Sequence, residues 1–123
     1  MPVVRPTDST RHELGDAQFE TYVAPSTGSE DLCAWRLVVR PGARGLAHRP
    51  SNEEVLLVLS GTLCGALGGE EFALVPGEVL HVPADVEVRI DGGPEGGTAW
   101  VSTTRGLEAV TAAGERLTPP WAQ

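Results

Sequence analysis

Short runs in which apolar and polar residues alternate dominate this chain. In "CAWRLVVR" (33–40) the apolar side chains recur at every second position, and the two arginines fall between them. "VEVRI" (86–90) alternates in the same way. A period of two residues is typical of a β-strand with one buried and one solvated face. Both segments are therefore predicted as strands that face a core.

"EVLLVLS" (54–60) has a different pattern, because it is apolar on both faces. Such a run predicts a strand that lies between two layers. Gly61 is expected to end this strand. Further along the chain, "DGGPEGG" (91–97) is predicted to be a turn. Further strands are predicted over 18–23, 62–67, 72–75 and 98–104. A strand of about six residues is predicted after Gly77, and a terminal hairpin is predicted with its turn at Ala113–Gly114.

The count of elements favours an all-β fold. Nine or ten short strands are predicted, and no segment has a convincing amphipathic helical period. The 15 Gly and 10 Pro among 123 residues agree with many tight turns. We expect a single domain, an all-β jelly-roll barrel of two antiparallel sheets over 18–123, preceded by a polar, irregular arm over 1–17.

Composition and charge narrow the function classes. The net charge is −8, so nucleic acid and anionic membranes are poor partners. The nine basic residues are all Arg, and the absence of Lys excludes Schiff-base catalysis. No apolar run approaches the length of a membrane span, and the N-terminus is polar, so we expect a cytoplasmic protein. The composition is typical of a GC-rich bacterial genome.

Two cysteines, Cys33 and Cys64, lie far apart in apolar runs. They are interpreted as two buried free thiols. A disulfide and a catalytic thiol are the alternatives that the sequence leaves open.

Two segments have spacings that suggest a functional site. In the first, Gly42 is followed after five residues by His48, and then come Pro50, Glu54 and Gly61. In the second, Gly77 is followed after five residues by a turn and a strand. Pro83 and Asp85 stand in that turn, and Val88 and Gly92 follow it.

These two segments resemble the signature of the cupin superfamily, a group of small jelly-roll barrels. The resemblance implies a metal site in which three histidines and one glutamate gather on the inner face of the barrel. His48 and Glu54 match that pattern, whereas Pro50 and Val88 stand where two of the histidines belong. The resemblance therefore implies a degenerate metal site, and it also implies a homodimer. The outer-strand residues Val55, Leu57 and Leu59 would need cover from a second sheet or a partner.

Three hypotheses follow for the function. In the first, His48 and Glu54 are catalytic residues of a redox-neutral isomerase, lyase or cyclase, because burial should raise the pKa of Glu54 into the range useful for proton transfer. In the second, His81 completes a metal site with His48 and Glu54 that holds Fe, Mn, Ni or Zn in a dioxygenase-like enzyme. Strand parity leaves the direction of His81 open. In the third, the barrel binds a ligand without catalysis.

All three hypotheses share one pocket for a small-molecule ligand. The cofactor is expected to be absent or a weakly held divalent transition metal. The residues predicted to bind the substrate are the apolar ones Trp35, Leu56, Val58, Val88 and Trp100.

Overall fold

A computed structural model describes residues 3–123 and contains ten strands. Across that range the helical segments are three short 3-10 turns, Pro6–Asp8, Pro25–Thr27 and Pro120–Ala122. The all-β prediction is therefore confirmed. The strands are β1 (Thr10–Leu14), β2 (Ala17–Val23), β3 (Leu32–Val39), β4 (His48–Pro50), β5 (Glu54–Leu67), β6 (Glu70–Leu74), β7 (Val79–Val82), β8 (Val88–Thr104), β9 (Ala109–Thr111) and β10 (Arg116–Leu117).

Every ladder is antiparallel, and the ladders join into one curled sheet around a central strand, β8. The second half of β8 has β3 along one edge and β5 along the other. Its first half keeps β5, but the opposite edge is taken by β4. The exchange of partners lets a single strand contribute to two walls, which is how the sheet curls into a jelly-roll barrel.

The alternation predicted for β3 is confirmed. Cys33, Trp35, Leu37 and Val39 are all buried, and they meet inward residues of β5 and β8 in the core. The prediction for 54–60 needs correction, because its outer face is not covered. Val55 and Leu59 are 40% and 46% exposed, while Glu54, Leu56 and Val58 are buried. The homodimer that would cover them stays a prediction.

The two longest strands, β5 and β8, continue through segments that were predicted to end a strand or to form a turn. β5 continues past Gly61, which takes the left-handed conformation (φ 66°) where the register shifts. β8 runs through the glycine-rich stretch that was predicted to be a turn. A Cβ on Gly93 would lie 1.8 Å from Thr62 Oγ1, and one on Gly92 would lie 2.0 Å from the Arg40 carbonyl oxygen. These glycines allow neighbouring segments to approach the β8 backbone closely, so they serve packing rather than chain reversal.

The ends of the chain are more ordered than predicted. Within the supposed arm, Thr10–Leu14 forms β1 and pairs with β2, so the irregular segment among the described residues is shorter. At the other end, the predicted hairpin is confirmed as β9 and β10, with Gly114 in the turn. The last residues then fold back onto the barrel, where Trp121 stacks on Phe19 with ring centroids 3.6 Å apart.

Both cysteines are free thiols. Cys33 is fully buried and its thiol donates to the Ala122 carbonyl oxygen at 3.5 Å. Burial raises the pKa of the Cys33 thiol, which disfavours the nucleophilic thiolate. Cys64 is only half-buried. The disulfide alternative is therefore excluded in this structure.

No helix among the described residues has the length and apolar character needed to cross a membrane.

Candidate functional site

A cavity of about 350 Å³ lies inside the barrel. That volume falls within the range of small-molecule sites, about 300–1,000 Å³. The cavity wall is mostly apolar because the inward side chains of three adjacent strands meet there. These side chains are Trp35, Leu37, Val39, Leu56, Val88, Ile90 and Val101.

The mouth of the cavity is formed by parts of the chain that are far apart in sequence. The turn after β1, the segment before β4 and the C-terminal segment all line it. Asp16 and Arg44 are the exposed charged side chains among the lining residues. Trp121 closes one side, held by its stack on Phe19 and by a hydrogen bond from Thr21 Oγ1 to its carbonyl oxygen (2.7 Å).

Glu54 brings an acidic group into this apolar cavity. It begins β5 opposite Val82 and is only 8% exposed. Desolvation raises the pKa of its carboxyl from 4.5 to about 7, and no neighbouring charge or hydrogen bond contributes. Among the described residues no fully buried side-chain oxygen lacks a partner. The Glu54 oxygens therefore reach open space, and that space is the cavity that Glu54 lines.

His48 is a second titratable group in the cavity lining, and it is half-buried. It begins β4 and pairs with Val88 of β8 and with Thr111 of β9. Its ring Nδ1 lies 2.8 Å from the Leu46 carbonyl oxygen. Because a carbonyl oxygen only accepts, Nδ1 carries the proton and Nε2 of the neutral ring is bare. A bare imidazole nitrogen can accept a proton from a ligand.

The residues at the four motif positions lie around one cavity. His48, Pro50, Glu54 and Val88 all line the cavity, and the last three are buried. The structure thus brings the two candidate catalytic residues to one site. It also places Pro50 and Val88 at positions from which a histidine would face the same space.

His81 is not part of this site. It lies on β7 opposite Val55, so it shares the outer face of the sheet, whereas the neighbouring pair Glu54 and Val82 points inward. Its side chain is 57% exposed, and its Nε2 lies 2.8 Å from Glu53 Oε1. The interpretation of His81 as a third metal ligand is corrected accordingly, because strand alternation directs it away from the cavity.

The predicted substrate-binding residues divide into two groups. Trp35, Leu56 and Val88 line the cavity. Val58 is fully buried but packs in the core outside the lining. Trp100 lies beside Leu57 and Arg36 in the ladders, on the outer face. There its ring contacts Tyr22 edge-on, with centroids 5.2 Å apart.

Several lining residues were not predicted from the sequence. Ile90 could have been found, because it alternates with Val88 on the inward face of β8. Phe19, Trp121, Asp16 and Arg44 reach the cavity through contacts between distant segments. No local pattern in the sequence signals those contacts.

Comparison with known proteins agrees with this architecture. The family model described as "Cupin domain" matches residues 35–92. The chain therefore has the fold of a cupin jelly-roll barrel. No curated protein matches the chain.

Three solved structures illustrate the likeness of this cupin to others. The polyketide cyclase RemF from Streptomyces resistomycificus is 20% identical, with a TM-score of 0.74 over 85% of this chain and 79% of that one. An RmlC-like cupin from Shewanella frigidimarina is 18% identical, with a TM-score of 0.73 over 85% and 90%. KdgF from Halomonas sp. is 16% identical, with a TM-score of 0.71 over 82% and 92%. At these identities the likeness concerns the fold.

The donor atoms of this cupin do not fit a typical catalytic metal site. Such a site uses about three protein ligands and an open position. His48 and Glu54 supply two, and Pro50 and Val88 supply none. Within residues 3–123 no group of three His, Cys, Asp or Glu side chains is placed to hold a metal ion.

The raised pKa of Glu54 predicts a specific dependence of stability on pH. From its ordinary value of 4.5 up to about 7, the unfolded chain releases this proton while the folded chain retains it. The folded state therefore loses stability as pH rises through that window. Glu54→Gln removes this effect. Relative to the wild type, the variant should gain about 3 kcal/mol of unfolding free energy between the acidic and the alkaline end of the window.

Urea unfolding at a series of pH values measures this difference. Glu87→Gln is the matched control, because Glu87 is an exposed carboxylate near the start of β8. Parallel pH profiles for wild type and Glu54→Gln would contradict the raised pKa.

Proposed function

We propose that this cupin binds a small organic molecule in its cavity and catalyses a redox-neutral proton transfer, as an isomerase, lyase or cyclase does. The observation that carries the proposal is Glu54, a residue buried on the inner face of the barrel whose carboxyl oxygens open into an apolar cavity. Placing a carboxyl group in apolar surroundings costs free energy, so proteins seldom retain one there without a use for it. A group with a pKa near the working pH is also the most effective acid–base catalyst.

The two side chains have complementary protonation states. Near neutral pH a large fraction of Glu54 is protonated, because its pKa is about 7, so its hydroxyl can donate. In the neutral form of the His48 ring, Nε2 is free to accept, because Nδ1 donates to the Leu46 carbonyl oxygen. A substrate with an acidic C–H next to a carbonyl would use both groups. His48 Nε2 takes the carbon-bound proton while Glu54 donates its proton to the carbonyl oxygen, which gives an enol.

The enol can then react in ways that require no oxidant or reductant. Return of the proton to a different carbon gives an isomer, and addition of the enol carbon to a second carbonyl closes a ring. The apolar wall supports both outcomes, because excluding water strengthens the hydrogen bonds to the developing charge. Similarity to a structure described as a polyketide cyclase favours ketone substrates.

The proposal predicts a proton-exchange activity on simple ketones. Wild-type protein in D₂O should speed the exchange of α-protons in a panel of apolar ketones and β-diketones, followed by NMR. His48→Gln and Glu54→Gln should each lower the rate by about a hundredfold or more. The exposed His81→Gln serves as the matched control and should retain the wild-type rate.

Two outcomes would go against this proposal. Exchange that survives the His48→Gln/Glu54→Gln double variant would show that these residues are not catalytic. Ketones that bind in the cavity without exchange would favour a ligand-binding barrel without catalysis.

The alternative of a metal-dependent cupin is tested separately. Because this chain offers two donors, we expect wild-type protein purified without chelators to contain far less than one equivalent of Fe, Mn, Ni or Zn. The double variant Pro50→His/Val88→His should bind about one divalent metal ion per chain, since it restores a full donor set at residues that line the cavity. Plasma mass spectrometry measures both. One equivalent of metal in the wild type would contradict the metal-free proposal.

A further inference from the structure

We infer that Asp91 is a positioning residue for His48 and acts through the segment 42–46, here called the mouth loop. This inference rests on the proposed role of His48. Three hydrogen bonds tie the mouth loop to β8, on the edge opposite β5. The Gly42 amide donates to the Gly93 carbonyl oxygen at 2.9 Å, and the Gly92 amide donates to the Ala43 carbonyl oxygen at 2.8 Å. The third runs from the Gly45 amide to Asp91 Oδ1, also at 2.8 Å.

The Asp91 side chain therefore extends the row of hydrogen bonds between β8 and the mouth loop. The two backbone bonds stop at Ala43, and the Asp91 carboxylate takes over as acceptor for the next amide of the loop. Arg89 fixes this carboxylate, because its Nε donates to Oδ1 at 3.2 Å and to Oδ2 at 3.0 Å. Both side chains are largely buried, with 22% and 14% exposed. An ion pair with this little solvent access holds its geometry better than an exposed one.

The loop also fits directly against the strand at Gly45. A Cβ at that position would lie 2.0 Å from the Ile90 carbonyl oxygen, so only glycine allows the approach. This close contact and the bond to Asp91 together fix Gly45, the residue that precedes Leu46. Ile90 and Leu46 both line the cavity, so the contact sits at the site itself.

The Leu46 carbonyl connects the mouth loop to His48. The Leu46 side chain is 50% exposed, so packing contributes little to the orientation of this residue. Its orientation depends on its neighbours, Gly45 held by Asp91 and Ala47 held by the Ala112 amide at 3.3 Å. The Leu46 carbonyl oxygen accepts the proton of His48 Nδ1 at 2.8 Å. Through these bonds Asp91 determines which ring nitrogen of His48 is bare towards the ligand.

The tautomer of His48 is a direct readout of this arrangement. The chain has three histidines, so His12→Gln/His81→Gln leaves His48 as the only imidazole in the sample. The ¹⁵N shifts of its two ring nitrogens, measured without ligand at alkaline pH, report where the proton lies. In this background we expect the Nδ1–H form. Asp91→Ala should shift the ratio of tautomers about fivefold towards Nε2–H, the size expected from weakening one hydrogen bond.

The companion variants make the test specific. Asp91→Asn keeps an oxygen acceptor for the Gly45 amide and should retain the wild-type pattern. Asp91→Val removes the acceptor but suits a strand, so it replaces Asp91→Ala if that protein does not fold. Glu87→Ala removes a nearby exposed carboxylate and should change nothing. Wild-type shifts in Asp91→Ala or Asp91→Val would overturn the inference, and so would an equal shift in Asp91→Asn.

The tautomer measurement can be interpreted separately from the proposed function, because it needs no substrate. A shifted tautomer in Asp91→Ala supports the positioning role even if His48→Gln retains full proton-exchange activity. That second result would overturn only the catalytic role of His48.

Discussion

The structure of this site depends on one constraint, the burial of Glu54 on the inner face of the barrel, where its carboxyl opens into an apolar cavity. Strand alternation along β5 places Glu54 on the same inner face as Leu56 and Val58, so the carboxyl cannot turn to water without a change of register. Desolvation then favours the protonated form. The neutral acid is compatible with the apolar wall, and it is also the form that can donate a proton.

The apolar residues Pro50 and Val88 are compatible with the raised pKa of Glu54. A divalent cation held beside Glu54 would favour the carboxylate and lower its pKa. Pro50 and Val88 bring no charge to the site, and desolvation by burial is the cause of the raised pKa of Glu54. The apolar residues at these positions and the raised pKa of Glu54 both favour the proposed proton transfer by the protein's own side chains.

The sequence predicted the inner faces of the barrel better than its outer face and ends. Alternation predicted the buried face of β3, and the motif spacing selected His48 and Glu54, which both line the cavity. The direction of His81 stayed open because the strand "VLHV" is apolar on both faces, and Trp100 lies in a similar run. The stack of Trp121 on Phe19 joins opposite ends of the chain, and a local pattern carries no information about such a contact.

The central claim is most directly tested by titrating Glu54 itself. The ¹³C shift of its side-chain carboxyl can be followed with pH by NMR and assigned by its loss in Glu54→Gln. The account predicts a midpoint of about 7, because the carboxyl is buried without a compensating charge. A midpoint at the ordinary value of 4.5 would show that a cation or donor stabilises the carboxylate, and it would contradict the proposed proton-transfer site.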